Sequence, residues 1–222
     1  MFKQLMLKHP LFSNKNKELM MKKMVLLLVF GLIAAIPATA QQTWKIDQSH
    51  SNVMFTVSHL VVSDVTGYFK EFEGKLTTTK DDFSDAMVDV SIKIASINTD
   101  IEKRDNHLKS DDFFNAEKFP MMTFTSRKFE KTGNNTFKIT GDLTIRDVTK
   151  EVVLDAKYKG QVVDPWGNTK AGWVATTIIN RFDYNLKWNA AMEAGGLVVG
   201  ENVDIRLNME LGLQKPDKMG MK

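Results

Sequence analysis

The sequence predicts an all-β fold, an antiparallel β-barrel of eight strands with short helical or loop caps. Three observations lead to it. Turn-forming residues recur between short segments, the chain after residue 40 has the length of one domain, and the segments alternate apolar and polar residues, most clearly at Val203, Ile205, Leu207, Met209 and Leu211. Alternation with period two gives a strand one wet and one apolar face. About eight such strands favour closure around an apolar interior.

We predict strands at 43–48, 52–59, 67–79, 86–97, 121–130, 136–146, 151–163, 169–180 and 202–213. Hairpin turns are indicated at Gly133-Asn134-Asn135, at Asp164–Asn168 and at Arg146–Lys150, because Gly, Pro, Asn and Asp favour tight turns. Short connections favour antiparallel neighbours. Three segments interrupt the pattern: a short helical or irregular link at 60–66, a short helix or loop at 99–115 that caps one end, and a flexible loop at 189–200.

The first forty residues are predicted to be a signal peptide with a possible extended leader. Lys22 and Lys23 precede an uncharged run from Val25 to Ile36, and Ala38-Thr39-Ala40 has the small residues of a cleavage site. A retained membrane anchor is the alternative, but the run is shorter than the roughly 20 residues that a spanning helix needs. We therefore expect an exported protein, periplasmic or secreted, with one domain at 41–222 and a loose tail from about 214.

Charge and cysteine content exclude several classes of protein. The full chain carries a net charge of +3, but residues 1–40 contain six lysines and one glutamate, so the remainder has a net charge of −2. A domain this close to neutrality has no basic surplus to attract nucleic acid. With no cysteine in the chain, disulfides, thiolate metal sites and cysteine nucleophiles are excluded.

Catalytic signatures are scarce in this sequence. It contains no G-x-S-x-G, H-E-x-x-H or G-x-x-x-x-G-K-[ST] motif. Of the histidines after residue 40, His50 and His59 flank one predicted strand, whose length keeps them too far apart to share a metal ion unless the chain bends. We predict neither a metal site, nor a cofactor, nor a catalytic residue.

Aromatic residues on the apolar faces of nearly every strand are the more informative signal. Phe55 alternates in phase with Val53 and Val57, and Phe137 with Ile139 and Leu143. Eight-stranded barrels are either packed solid or hold one small ligand. From the residues alone, a filled core and a ligand cavity both remain open.

Several separate motifs resemble the YceI-like family of exported bacterial proteins. The resemblance covers most of 43–212 and rests on Trp44–Ser51, Val53–His59, Gly67-Tyr68-Phe69, Phe72–Leu76, Ile97-Asn98-Thr99, Arg104–Ser110, Asp112-Phe113-Phe114, Phe119–Phe124, Gly141–Ile145 and Val148-Thr149-Lys150. Arg146-Asp147 stands where the family commonly has a glycine. The resemblance implies a lipocalin-like barrel that binds a polyisoprenoid lipid, of the isoprenoid quinone or prenyl pyrophosphate type, in an internal tunnel. Family members are regarded as carriers or stress-linked lipid binders, not enzymes.

On that basis we expect two groups of ligand-binding residues. His59, Arg104 and His107 are candidates for the rim, where they could hold a polar head group. The inward apolar residues are candidates for the tunnel lining: Phe55, Val57, Phe69, Phe72, Val90, Ile92, Phe124, Ile139, Leu143, Leu154, Trp173 and Ile205.

Two other functions remain as alternatives. One is a packed barrel that acts as an interaction module without a lipid, and the other is a lipid-modifying enzyme with His59 or His107 as general base. The expected partners are a polyisoprenoid lipid and, transiently, a membrane. The sequence is compatible with a homodimer but does not define the oligomeric state.

Overall fold

A computed structural model describes residues 40–190 and 197–215, together with Glu18 and Met21. The described residues from Ala40 onward form one compact unit. The predicted leader, apart from Glu18, Met21 and Ala40, lies outside the described residues, as do 191–196 of the predicted flexible loop and the tail after Lys215. Within the described ranges, no helix has the length and apolar character needed to cross a membrane.

The described ranges contain eleven strands and one α-helix, α1, which spans Glu102–Lys109. Short 3₁₀ segments lie at Gln48–His50, Ile94–Ser96 and Arg181–Tyr184. The strands are β1 Gln42–Ile46, β2 Asn52–His59, β3 Ser63–Phe69, β4 Phe72–Thr78, β5 Met87–Lys93, β6 Ile97–Asn98, β7 Met121–Gly133, β8 Thr136–Ile145, β9 Val148–Val163, β10 Thr169–Asn180 and β11 Val199–Leu213.

Eight antiparallel strands close into a barrel. Their hydrogen-bonded order is β1-β4-β5-β7-β8-β9-β10-β11, and β11 pairs back onto β1 with Ile46 opposite Leu211. The other three strands extend the same wall. β2 follows β1 and also pairs with β11, while β3, which leads into β4, pairs with β2. β6 follows β5 and pairs with β3. The chain therefore passes up and down the barrel wall eight times, and we call each pass a stave. The first three staves are β1 with β2, β3 with β4, and β5 with β6, and each is kinked between its two strands. The predicted eight-stranded antiparallel barrel is confirmed.

The predicted short helical or irregular link at 60–66 and the predicted strand at 67–79 are wrong in detail. A turn at 60–62 joins β2 directly to β3, and the second stave bends at 70–71, between β3 and β4. Leu60 and Val61 both have left-handed backbones, with φ of 52° and 62°. Such turns usually carry Asn or Gly because a left-handed conformation costs other residues about 1–2 kcal/mol. Two apolar residues there conceal the hairpin from sequence analysis.

The predicted strand at 86–97 is also interrupted. After β5 the backbone forms the 3₁₀ segment Ile94–Ser96, in which the Ser96 hydroxyl donates to the Lys93 carbonyl at 2.6 Å. The strand then resumes as β6, which pairs with β3. The last strand begins at Val199, earlier than the predicted residue 202. The short helix predicted within 99–115 is present as α1, and the three predicted hairpin turns all connect neighbouring strands.

The up-and-down path gives the barrel two different ends. At the hairpin end lie the turns that connect β4–β5, β7–β8 and β9–β10. At the helix end lie the β2–β3 and β8–β9 turns, α1 and the described residues between β10 and β11, which are 181–190 and 197–198. The buried apolar residues form one cluster inside the barrel, so the core lies between these ends.

Gly141 of β8 offers a test of the wall packing. A Cβ at this position would lie 2.5 Å from the Thr125 carbonyl oxygen and 2.6 Å from Phe124 Cζ, whereas a Cβ at Gly212 of β11 would have no heavy atom closer than 3.9 Å. We expect Gly141→Ala to lower the free energy of unfolding by about 1–3 kcal/mol, because overpacking displaces neighbours. Gly212→Ala is the matched control, expected within about 0.5 kcal/mol of wild type. Urea unfolding measures both, and equal effects would contradict the packing described here.

Candidate functional site: an apolar cavity inside the barrel

The barrel interior is not completely filled by side chains. It contains a partly open cavity of about 210 Å³. The cavity walls come from all the described strands except β6, from Leu108 of α1, and from the segments that follow α1 and β10. Its surface is almost entirely apolar. Inward residues such as Val90 and Ile205 pack against the core but are only partly buried, because part of their surface lines the cavity.

Most of the predicted lining residues lie at this cavity. Those in contact with it are Phe55, Val57, Phe69, Val90, Ile92, Phe124, Ile139, Leu143, Leu154, Trp173 and Ile205. The exception is Phe72, which is 7 % exposed but belongs to the packed core and not to the cavity wall. It begins β4 directly after the bend of the second stave, opposite Ile92. Contact of any of these residues with a ligand stays a prediction.

The sequence analysis missed part of the wall. Alternation could have found the inward residues of recognised strands, such as Val53, Ala156, Ala175 and Leu207. It could not find residues that irregular segments carry into the cavity, because those have no strand phase. These are Leu108, Phe113, Phe114, Arg181 and Leu186.

At the hairpin end the cavity stops at a cluster of six rings, which we call the aromatic floor: Trp44, Phe83, Phe129, Phe137, Tyr158 and Trp173. Trp173 is central to it, with ring-centroid distances of 4.9 Å to Tyr158 and 5.2 Å to both Phe83 and Phe137. Only Trp173 and Phe129 of the six reach the cavity surface. The other rings form a second layer behind them, so this end is closed by tightly packed side chains.

Phe83 enters the floor from the loop between β4 and β5, and Asp85 holds that loop in place. One Asp85 carboxylate oxygen accepts from the Thr78 hydroxyl at 2.5 Å, and the other accepts from the Thr79 hydroxyl at 2.5 Å and the Thr79 amide at 3.1 Å. These bonds, led by the one from Thr78, hold the pKa of Asp85 well below its usual range. The loop therefore depends on an ionised carboxylate.

The helix end is covered by apolar side chains from two segments: Leu108, Phe113 and Phe114 around α1, and Leu186 after β10. Arg146, in the β8–β9 turn, ties the two segments together. Its Nη1 donates to the Phe113 carbonyl at 2.8 Å and to the Asn185 carbonyl at 3.3 Å. Arg146 therefore links both segments of the cover to the β8–β9 turn.

Arg181 is a second guanidinium at the helix end, and it is 3 % exposed. It donates to four backbone carbonyls, at 2.8 Å to Gly200, 2.9 Å to Trp188, 3.0 Å to Val199 and 2.5 Å to Leu186. Burial lowers the pKa of Arg181, but an arginine stays protonated in proteins. Its aliphatic stem can contact the cavity while its charge joins the segment after β10 to the start of β11.

The three predicted rim residues lie at the helix end but do not line the cavity. His59 Nδ1 is 3.1 Å from the Val198 carbonyl oxygen, and Arg104 donates to the Thr99 hydroxyl and carbonyl at 2.8 and 2.7 Å. His107 Nε2 is 2.8 Å from an Asp112 carboxylate oxygen, and its ring packs edge-on against Trp188. Each side chain already has a local partner, and their role toward a head group stays a prediction.

A cluster of possible metal ligands lies on the outer wall, away from the cavity. Asp47, His50 and Glu210 bring ligand atoms within 4.8 Å of one another. The Lys170 ammonium group lies among them, at 2.6 Å from Asp47 and 3.1 Å from Glu210. The bond from Lys170 is the largest cause of the lowered pKa of Asp47. A lysine thus already supplies the cation that these carboxylates attract.

Closed eight-stranded barrels of this size, with an apolar interior space, belong to the class of β-barrel proteins that can hold one small ligand. The YceI-like domain matches residues 44–211, and the chain belongs to this family. Protein YceI of Escherichia coli is 41 % identical over 170 residues, which cover 75 % of this chain and 88 % of that protein.

Solved structures share the barrel. The Campylobacter jejuni YceI protein is 34 % identical, with a TM-score of 0.60 over 77 % of this chain and 97 % of that one. A polyisoprenoid binding domain from Saccharophagus degradans, implicated in plant cell wall breakdown, has a TM-score of 0.58 over 77 % of this chain and 98 % of that one, at 16 % identity. At that identity the likeness shows a common fold.

We expect Asp85→Asn to destabilise the protein near neutral pH by about 1.5–3 kcal/mol, because hydrogen bonds to an ionised acceptor are lost. The pKa of Asp85 is lower in the folded than in the unfolded protein, so its contribution is present above the unfolded value near 3.9 and is lost as the pH falls toward the folded value. The difference between wild type and variant should therefore shrink between pH 6 and pH 2.5. Urea unfolding at both pH values measures it, and a constant difference would contradict this role.

Proposed function

We propose that this protein binds one polyisoprenoid lipid in the barrel cavity and sequesters or carries it. The observation that carries the proposal is the cavity itself, about 210 Å³ of space with an almost wholly apolar wall. Membership of the YceI-like family and the shared fold with a polyisoprenoid binding domain support the same class of ligand.

The wall chemistry favours a hydrocarbon chain over a polar molecule. Each methylene moved from water into an apolar site contributes roughly 0.8 kcal/mol, so a few isoprene units outweigh the cost of ordering the chain. A polar group placed among these side chains would lose its hydrogen bonds to water without replacement. We therefore propose that the chain lies inside, in a tunnel, and that any polar head stays at the helix end near His59, Arg104 and His107.

The two alternative functions have less support. A packed interaction module requires a filled interior. Val90 and Ile205 are only partly buried and line the cavity, which favours an interior that takes a ligand. An enzyme would need a proton-transferring group at the ligand, whereas His59 and His107 lie outside the cavity lining. Catalysis is not part of the proposal.

Export to the periplasm or medium belongs to the same proposal. So does transient contact with a membrane, because a polyisoprenoid lipid dissolves in membranes and not in water. Protein loaded with a labelled polyprenol should pass it to phosphatidylcholine vesicles on mixing, as followed by separating vesicles from protein. Retention of the label on the protein at all vesicle concentrations would contradict delivery by membrane contact, while binding itself would stand.

Mass spectrometry of organic extracts should detect a prenyl lipid in protein purified gently from a bacterial host. Phe55→Glu should reduce the bound lipid about tenfold or more, because the carboxylate would face an apolar cavity. Thr56→Glu is the matched control, since Thr56 lies next in β2 and its hydroxyl meets that of Thr66 on the exposed face. Circular dichroism would verify that both variants remain β-rich.

If Phe55→Glu does not fold, Ile205→Asn is the second variant. It places a smaller polar group in the cavity from the neighbouring strand β11, where Ile205 pairs with Phe55. Empty wild-type protein that also takes up no added polyprenol or quinone would overturn the proposal. Full uptake by Phe55→Glu and Ile205→Asn would show that the ligand binds elsewhere.

A further inference from the structure

The closed hairpin end suggests what limits the size of the ligand. At this end Trp173 and Phe129 line the cavity, and behind them Phe83, Phe137 and Tyr158 pack ring against ring. Phe83 is 2 % exposed, and its loop is fixed by the Asp85 hydrogen bonds. Because several packed rings must move together to open this end, a chain that enters the barrel meets a fixed stop.

Small residues lie directly above this stop. Ala175 of β10 is opposite Ala156 of β9, and both line the cavity. The next inward pair toward the hairpin end is Trp173 opposite Tyr158. Two of the largest side chains thus follow two of the smallest on the same pair of strands. The cavity is open beside Ala156 and Ala175 because each alanine side chain is only a methyl group.

We infer that Ala156 and Ala175, together with Trp173 as the stop, set the longest prenyl chain that the cavity accepts. This inference rests on the proposed function and adds the determinant of chain length to it. Two residues of strand advance about 6.6 Å, which at a tilt of roughly 40° is about 5 Å along the barrel. That is on the order of one isoprene repeat, so filling the alanine layer removes the space for about one unit.

The test uses the delipidated protein and a graded series of linear all-trans polyprenols that differ only in the number of isoprene units. Native mass spectrometry measures the bound fraction for each chain length. Wild type should show affinity that increases with length up to a limit. Ala175→Leu should shorten that limit by about one isoprene unit and weaken binding of the longest accepted chain about tenfold, while shorter chains bind as they do to wild type.

Val174→Leu is the matched control, since it adds bulk to the neighbouring residue of β10, which lies outside the cavity lining. It should leave the length limit unchanged. If Ala175→Leu does not fold, Ala156→Val adds fewer atoms to the same layer and should shorten the limit in the same direction.

The outcomes separate this inference from the proposed function. Wild type that binds polyprenols with the same length limit as folded Ala175→Leu and Ala156→Val would overturn the length stop and leave lipid binding intact. Wild type that binds polyprenols of every chain length equally well would also overturn the length stop and leave lipid binding intact. Wild type that binds no polyprenol of any length would overturn both proposals.

Discussion

The pairing of the last strand with the first is the constraint on which the rest of the structure depends. β11 lies beside β1 at Leu211 and beside β2 at Ile205, so one continuous strand closes the barrel against two consecutive ones. Closure turns the apolar faces of all staves toward one another and removes the sheet edges there. The cavity, its floor and its cover exist only because this contact converts an open sheet into a wall around an interior.

Side-chain size decides how much of that interior stays open. The hairpin end is filled because six aromatic rings converge there, whereas Ala156 and Ala175, side by side on neighbouring strands, direct only methyl groups into the cavity. At the helix end, two guanidinium groups bind backbone carbonyls and so hold irregular segments across the barrel mouth. Regular strands therefore build the wall, while a few large or charged side chains close its ends.

Much of the fold could be predicted from sequence because alternation and turn chemistry are local signals. They located the staves, the three hairpins and the helix region, and they identified inward residues such as Leu143 and Ile205. They failed at 60–62, where Leu60 and Val61 adopt a backbone that usually signals Asn or Gly. They failed again at the bends of the second and third staves. At the second stave the inward phase shifts by one residue, because Lys70 and Glu71 are both exposed between the buried Phe69 and Phe72. A shift of one residue was not separated from continuous alternation.

The candidate site was predictable where it is made of strands and unpredictable where it is made of loops. Arg181 follows an apolar run and carries no motif of its own, since its four acceptors come from residues 186–200 and meet only in the folded chain. Phe83 looks like an isolated aromatic residue in a polar turn. Its place in the floor depends on rings contributed by three distant strands.

The incompletely filled interior has a consequence for the abundance of the protein. Side chains such as Val90 gain only part of the contact energy that a solid core would provide. A ligand that binds the folded chain and not the unfolded one would add the missing contacts, so protein without it would unfold more often and be digested sooner by proteases. If the proposed lipid fills this space, the amount of folded protein would follow the supply of that lipid.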